Sequence, residues 1–228
     1  MGVQALQIFT LRSCSISSVI GAPRRAWHFA PPLRSFSATA TVRGTLANVI
    51  KHDHQELKAY HPHIVGPKDL NEQTRYQNLF VWELARHSVA EEIIVLPAIR
   101  EQLEDGSDVA QRYRDQHQKI KEQLHKFQSL NADTEDFMPT FRNLYSDLQE
   151  YIKEEEDHDI PQLEAKLDDS QLAKLSRAFE RTKLLAPTRS HPLAPNAPPF
   201  ETAAALLAAP IDKLTDILRK FPKEDKLS

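Results

Sequence analysis

The sequence predicts an all-α protein: an up-down-up-down four-helix bundle, built from one helical hairpin used twice, with a C-terminal helical extension. Three observations carry this. Apolar residues recur at alternating spacings of three and four, and no stretch of Val, Ile and Thr alternates as a strand would. Glycine is scarce beyond residue 36, and Gly44, Gly66 and Gly106 fall between the periodic stretches, where helices end. The pattern also repeats: His54-Gln55-Glu56-Leu57-Lys58 matches His117-Gln118-Lys119-Ile120-Lys121 at an offset of 63, and His87-x-x-x-Glu91-Glu92 before Pro97 matches Tyr151-x-x-x-Glu155-Glu156 before Pro161 at an offset of 64.

Taken in order, residues 1–36 contain no Asp or Glu, carry Arg12, Arg24, Arg25 and Arg34, and scatter their apolar residues, the composition of a mitochondrial presequence. Arg34-Ser35-Phe36 places an arginine for matrix processing before Ser37. The alternative is an arginine-bearing tail without import function. Cleavage there removes Cys14, the only cysteine, so a mature chain binds any metal through nitrogen and oxygen. Residues 37–168 hold the bundle, with helices expected over 45–60, 71–103, 107–130 and 133–167. Residues 61–70 then form a long connection that runs back along the bundle. Four such helices with short connections favour antiparallel neighbours.

The stripes that these helices would bury are Ala47, Ile50, His54 and Leu57; Phe80, Leu84, His87, Glu91, Ile94 and Ala98; Tyr113, His117, Ile120, Leu124 and Phe127; and Phe141, Leu144, Leu148, Tyr151, Glu155 and His158. Each is apolar except where His or Glu stands in place of Leu. An ionised carboxylate buried without a partner costs several kcal/mol, so two such Glu need compensation. Three neutral imidazoles and two carboxylates around a cation provide it, which makes His54, His87, Glu91, His117 and Glu155 the candidate metal ligands. Tyr151 takes the place of His87 in the repeat and points at the same level, as a bound phenolate, as packing, or as a hydrogen-bond donor to Glu155. His158 either turns inward as a ligand or is an ordinary histidine at the polar end of its stripe, the preferred reading. His52, His61, His63, His125 and His191 read as solvated, and Trp82 as core.

In order, on four helices, Asp53-His54-Gln55-Glu56-Leu57, Ala85-Arg86-His87-Ser88 with Glu91-Glu92 and Leu96-Pro97, the lone His117, and Glu154-Glu155-Glu156 with Ile160-Pro161 resemble the hemerythrin-like, HHE cation-binding family over about residues 45–165. The resemblance implies a four-helix bundle with a non-haem di-iron centre whose irons are bridged by two carboxylates. It places His54, His87, Glu91, His117 and Glu155 at ligand positions. Two departures stand out: Tyr151 replaces the family's helix-four His, and the oxygen carriers' second helix-three His has no counterpart, since Tyr113 and Lys121 flank His117. Three His and two Glu suffice for one iron, or for two with open positions that water, oxygen or nitric oxide fill. They are too few for the fully ligated carrier.

In residues 169–228, Ser170 caps a fifth helix bearing Leu172, Leu175 and Phe179, residues 187–199 form a proline-rich strap, and Pro210 opens a last helix whose stripe of Ile211, Leu214, Leu218 and Phe221 docks on the bundle, binds a partner or touches a membrane, its mixed charge favouring docking over a membrane. Its protein partner, if any, is not named by the sequence. The formal charge of −3 is not that of a nucleic-acid-binding protein, and no apolar run reaches the roughly 18 residues of a spanning helix. The function expected is a matrix-located, iron-binding bundle that binds or senses a diatomic gas, or iron itself, with no organic cofactor. A di-iron peroxidase or oxidase, and a structural bundle with a degenerate metal site, are the alternatives, and no catalytic residue is assigned.

Overall fold

α1 (Leu46–Val65) and α2 (Leu70–Ala90) form the first hairpin of the computed structural model, which describes residues 45–66, 69–194 and 200–223, without the side chains of 200–207. The expected presequence and its processing site, and residues 195–199 of the strap, lie outside the described residues. A π turn (Glu91–Val95) leads from α2 into α3 (Leu96–Gln102), and α4 (Gly106–Ser129) returns. α5 (Phe137–Glu154), a second π turn (Glu155–Asp159) and α6 (Ile160–Lys166) make the last pass of the bundle. α7 (Asp169–Leu185) and α8 (Phe200–Asp216) follow, and no strand occurs among the described residues.

Local chemistry sets the ends. Thr45 caps α1 by accepting from the Asn48 amide, and Asp69 caps α2 through the Asn71 amide. The turn into α4 needs glycine, because a Cβ at Gly106 would stand 2.3 Å from the Ile99 carbonyl oxygen. α1 neighbours α2, α4 lies beside α2 and α3, α5 beside α4, and α6 returns to α1, which closes the up-down ring. At one end Phe80, Phe127, Phe137 and Phe141 pack with ring separations near 5 to 6 Å; at the other Leu46, Leu96, Ile99, Val109, Ile160 and Leu163 are buried. The polar level lies between these two apolar layers.

Several expectations change. α1 does not stop near Tyr60 but continues through Pro62 to Val65, so the connection is short and the chain need not double back. That stacks His61 against Tyr145 (4.1 Å between rings) and His63 against Tyr76 (4.0 Å), so both sit on the helix and keep one side in solvent instead of lying in a loop. α7 is capped by Asp168 and Gln171 in a reciprocal box, not by Ser170. Pro210 lies inside α8, and the last helix docks by its polar face: Asp212 accepts from the Thr188 and Arg189 amides and pairs with His191, while Ile211, Leu214 and Leu218 are exposed. Ser190 fixes the strap to α4 through the Lys121 carbonyl, and its own carbonyl accepts from His125. Trp82 is half-buried under the Arg86 guanidinium, 3.6 Å away, rather than in the core.

The π turns matter most. Each inserts one residue, with the Leu96 amide bonded to the Glu91 carbonyl and the Ile160 amide to the Glu155 carbonyl, and each is followed at once by a proline that has no amide hydrogen to give. The insertion rotates everything downstream. The second helix therefore buries Val95, Leu96 and Ile99 where the simple stripe expects Ile94 and Ala98, and the fourth buries Asp159 and Ile160 and leaves His158 exposed.

Candidate metal centre

The sequence-selected side chains converge. His54 from α1, His87 from the last turn of α2, Glu91 and Glu155 as the first residues of the two π turns, His117 from α4 and Tyr151 from α5 are all 3% exposed or less. His54 Nε2 lies 3.1 Å from His87 Nε2 and 3.3 Å from Glu155 Oε2. His87 Nε2 lies 3.0 Å from Glu91 Oε1, whose other oxygen, Oε2, is 3.2 Å from His117 Nε2. One donor atom each from His54, His87, Glu91 and Glu155 falls within a 4.8 Å span, while His117 faces the far side of the Glu91 carboxylate. Glu91 thus separates two positions, one beside His54, His87 and Glu155, the other beside His117 and Tyr151.

The donor set fits a cation. Glu91 Oε1, both oxygens of Glu155 and Nε2 of His117 are buried without a hydrogen-bond partner, although other polar atoms stand close by. Buried polar atoms are normally satisfied, so lone pairs aimed past one another are what a shared ion would collect. All donors are nitrogen or oxygen, a set that suits iron, manganese or zinc better than a thiolate-loving metal.

The electrostatics agree. Burial pushes the His54 imidazole down to about 4, helped by the neighbouring His87, so it is neutral and has a free lone pair. Burial works against charge on His87 too, but Glu91 and Asp53 push it up to about 10. Burial likewise opposes the Glu91 carboxylate, yet His87 and His117 hold it well below the ordinary range, whereas burial together with the Glu91 charge drives Glu155 well above it. Without a cation the two carboxylates cannot both ionise cheaply; a divalent ion removes that conflict.

Tyr151 donates to Glu91 Oε2 at 3.0 Å, not to Glu155. Burial and the Glu155 and Glu91 charges hold its phenol well above 10, so it stays a neutral donor in this arrangement. Its ring stands 5.0 Å from His117 and 5.3 Å from Tyr113. His158 is exposed and contributes nothing to the cluster.

A second tier was not anticipated from the sequence. Each of the three imidazoles donates from Nδ1 to a carboxylate that is itself held by a lysine. His54 gives to Glu156 (2.7 Å), which lies 3.5 Å from Lys58; His117 gives to Glu92 (3.1 Å), bonded to Lys121 (2.6 Å); and His87 gives to Asp53 (3.0 Å), bonded to Lys183 (2.5 Å). Such bonds fix the tautomer and turn each Nε2 lone pair toward the centre. The signal was present in the repeat, since Lys58 and Lys121 share the 63-residue offset and Glu92 and Glu156 the 64-residue offset.

Residues 45–163 match the family model described as the Hemerythrin HHE cation binding domain. The chain belongs to the hemerythrin HHE cation-binding family. An uncharacterized hemerythrin-like protein of Schizosaccharomyces pombe is 47% identical over 192 residues, 84% of this chain and 93% of the relative. No solved structure matches the chain. The match to the yeast protein is longer than this HHE domain and everything before it together, so it includes part of the C-terminal extension. This is a hemerythrin-like metal-binding domain with a candidate His/Glu site.

Proposed function

We propose that this HHE domain holds one or two non-haem irons with open coordination and uses them to bind or sense a diatomic gas, oxygen or nitric oxide, or iron itself, in mitochondria. The observation that carries the reading is the Glu91 carboxylate set between two groups of imidazoles, one oxygen toward His54 and His87 and the other toward His117. Iron bound there would supply reversible binding of a small ligand. His54, His87, Glu91 and Glu155 would hold the first ion; His117 and the second oxygen of Glu91 would hold another. Tyr151, where the family's sixth imidazole would stand, offers a neutral hydroxyl instead of a strong ligand and so leaves the His117 side underligated. Phe179 stacks edge-on against His87 and, with the apolar layers above and below, keeps bulk water away.

The mitochondrial part rests on the acid-free, arginine-bearing residues 1–36. One feature favours the oxidase or peroxidase reading: Tyr113 and Tyr151 lie buried in contact beside His117, placed to pass single electrons to a redox metal. Metal analysis and optical spectra of anaerobically purified protein, before and after oxygen or nitric oxide, separate the readings. Stoichiometric iron with a reversible spectral change supports a carrier or sensor. Continuous peroxide or oxygen consumption supports the enzyme, and purification without metal from iron-replete cells contradicts both.

A further inference from the structure

The bundle's pseudo-twofold supplies a lysine for two of the three imidazoles. Lys58 and Lys121, each four residues after its histidine, hold Glu156 and Glu92 from the facing hairpin. The third histidine breaks the symmetry. The residue that occupies the Asp53 position in the second half is Gln116, and it binds Glu154 rather than an imidazole, because its would-be histidine is Tyr151. The Asp53–His87 pair thus has no counterpart, and among the described residues no bundle lysine bonds Asp53. Its cation arrives from outside the family domain: Lys183 of α7, 8% exposed, bonds Asp53 Oδ1 at 2.5 Å and Glu83 Oε1 at 3.0 Å. The backbone is fixed at the same place, since Arg86 Nε donates to the Lys183 carbonyl at 3.1 Å. One turn earlier, Phe179 lies edge-on to the His87 ring at 5.7 Å.

We infer that α7 is a working part of the metal centre, with Lys183 as a positioning residue that acts through Asp53 to set the orientation of His87. This rests on the metal-binding reading above and adds to it a residue outside the 45–163 domain. Burying an ammonium is costly unless it is fully paired, and an apolar residue would dock α7 as well. What an apolar residue cannot do is hold the Asp53 carboxylate at the angle that keeps the His87 Nε2 lone pair on the centre. The extension therefore supplies the cation behind His87, while the lysines behind His54 and His117 belong to the bundle.

The test uses full-length protein and Co²⁺, whose visible spectrum reports coordination geometry. Wild type is titrated first, since wild type that takes up no Co²⁺ overturns the metal-binding reading together with this inference. Given wild-type binding, Lys183→Met is expected to weaken it roughly 10- to 100-fold and change the band shape at unchanged helix content, the size typical of losing an outer partner. Lys183→Arg should restore most of the affinity, Lys174→Met on the exposed side of α7 should change nothing, and Asp53→Asn combined with Lys183→Met should lose no more than Asp53→Asn alone. A Lys183→Met protein with wild-type affinity and spectrum overturns the inference alone. Where Lys183→Met does not fold, Asp53→Asn decides, because a folded Asp53→Asn protein with an unaltered Co²⁺ spectrum also overturns it.

Discussion

Glu155→Met should make the metal-free protein more stable while abolishing its response to metal. Glu155 is fully buried, neither oxygen has a hydrogen-bond partner, and burial with the adjacent Glu91 charge raises its carboxyl well above the usual range. An unsatisfied buried polar group costs about 1–3 kcal/mol, and Met fills the same stripe position at similar length without polar atoms. For a domain of this size each kcal/mol moves the thermal midpoint by about 2–4 °C, so the chelated variant should melt roughly 2–12 °C above chelated wild type. The sign of the pH dependence follows from linkage. A carboxyl whose folded pKa is raised carries no ionisation penalty below its unfolded value, and stability falls as pH rises from there toward the folded value. The advantage of Met should thus be smallest below about pH 4.5, where only the unbonded neutral carboxyl is removed, and grow above it. Thermal unfolding of both proteins, with chelator and with added Fe²⁺ under anaerobic conditions, is the assay. A chelated variant that melts well below chelated wild type, or one that gains as much from Fe²⁺ as wild type does, would refute the reasoning.

Other outcomes follow from the same geometry. Tyr151→Phe should cost about 1 kcal/mol of apo stability, one hydrogen bond to Glu91, and leave any ferric spectrum nearly unchanged; Tyr151→His should raise iron content by adding an imidazole beside His117, and a lost visible band in Tyr151→Phe would instead reveal a phenolate ligand. Metal uptake near neutral pH should release protons, because His87 at about 10 and the raised Glu155 must give theirs up while His54 at about 4 has none to give. Affinity should therefore rise with pH, and calorimetry in buffers of different ionisation enthalpy that finds no proton release would count against these ligands. Protein recovered from mitochondria should begin at or within a few residues of Ser37; recovery of Met1 would contradict import with processing.

Much of the centre was legible because its residues interrupt a regular pattern. His54, His87, Glu91, His117 and Glu155 stand in stripes where only apolar residues belong, and the internal repeat set two of the bundle's histidines and both Glu at matching levels. What followed the two Glu was misread for one physical reason. A 3.6-residue period assumes that every amide bonds four residues back, and the π turns at Glu91 and Glu155 break that rule, so Ile94, Ala98 and His158 lost their inward places to Val95, Ile99 and Asp159. The trace they leave is a proline six residues after each Glu, at Pro97 and Pro161. The Asp53–Lys183 pair left no trace of any kind, because 130 residues separate its members and only the fold brings α7 across α1 and α2. The last helix shows the limit of amphipathic reading: Ile211, Leu214 and Leu218 form a fair stripe, yet Asp212 binds two strap amides and His191, and those bonds decide which side faces in.

The central claim is that one cluster of His and Glu holds iron. The most direct measurement is an anomalous difference map at the iron edge from crystals grown anaerobically with iron. It should show a peak within bonding distance of His54, His87, Glu91 and Glu155, with any second peak across the Glu91 carboxylate beside His117. No peak in iron-saturated crystals, or one confined to groups outside the cluster such as exposed His52 and half-buried Glu56, would contradict it.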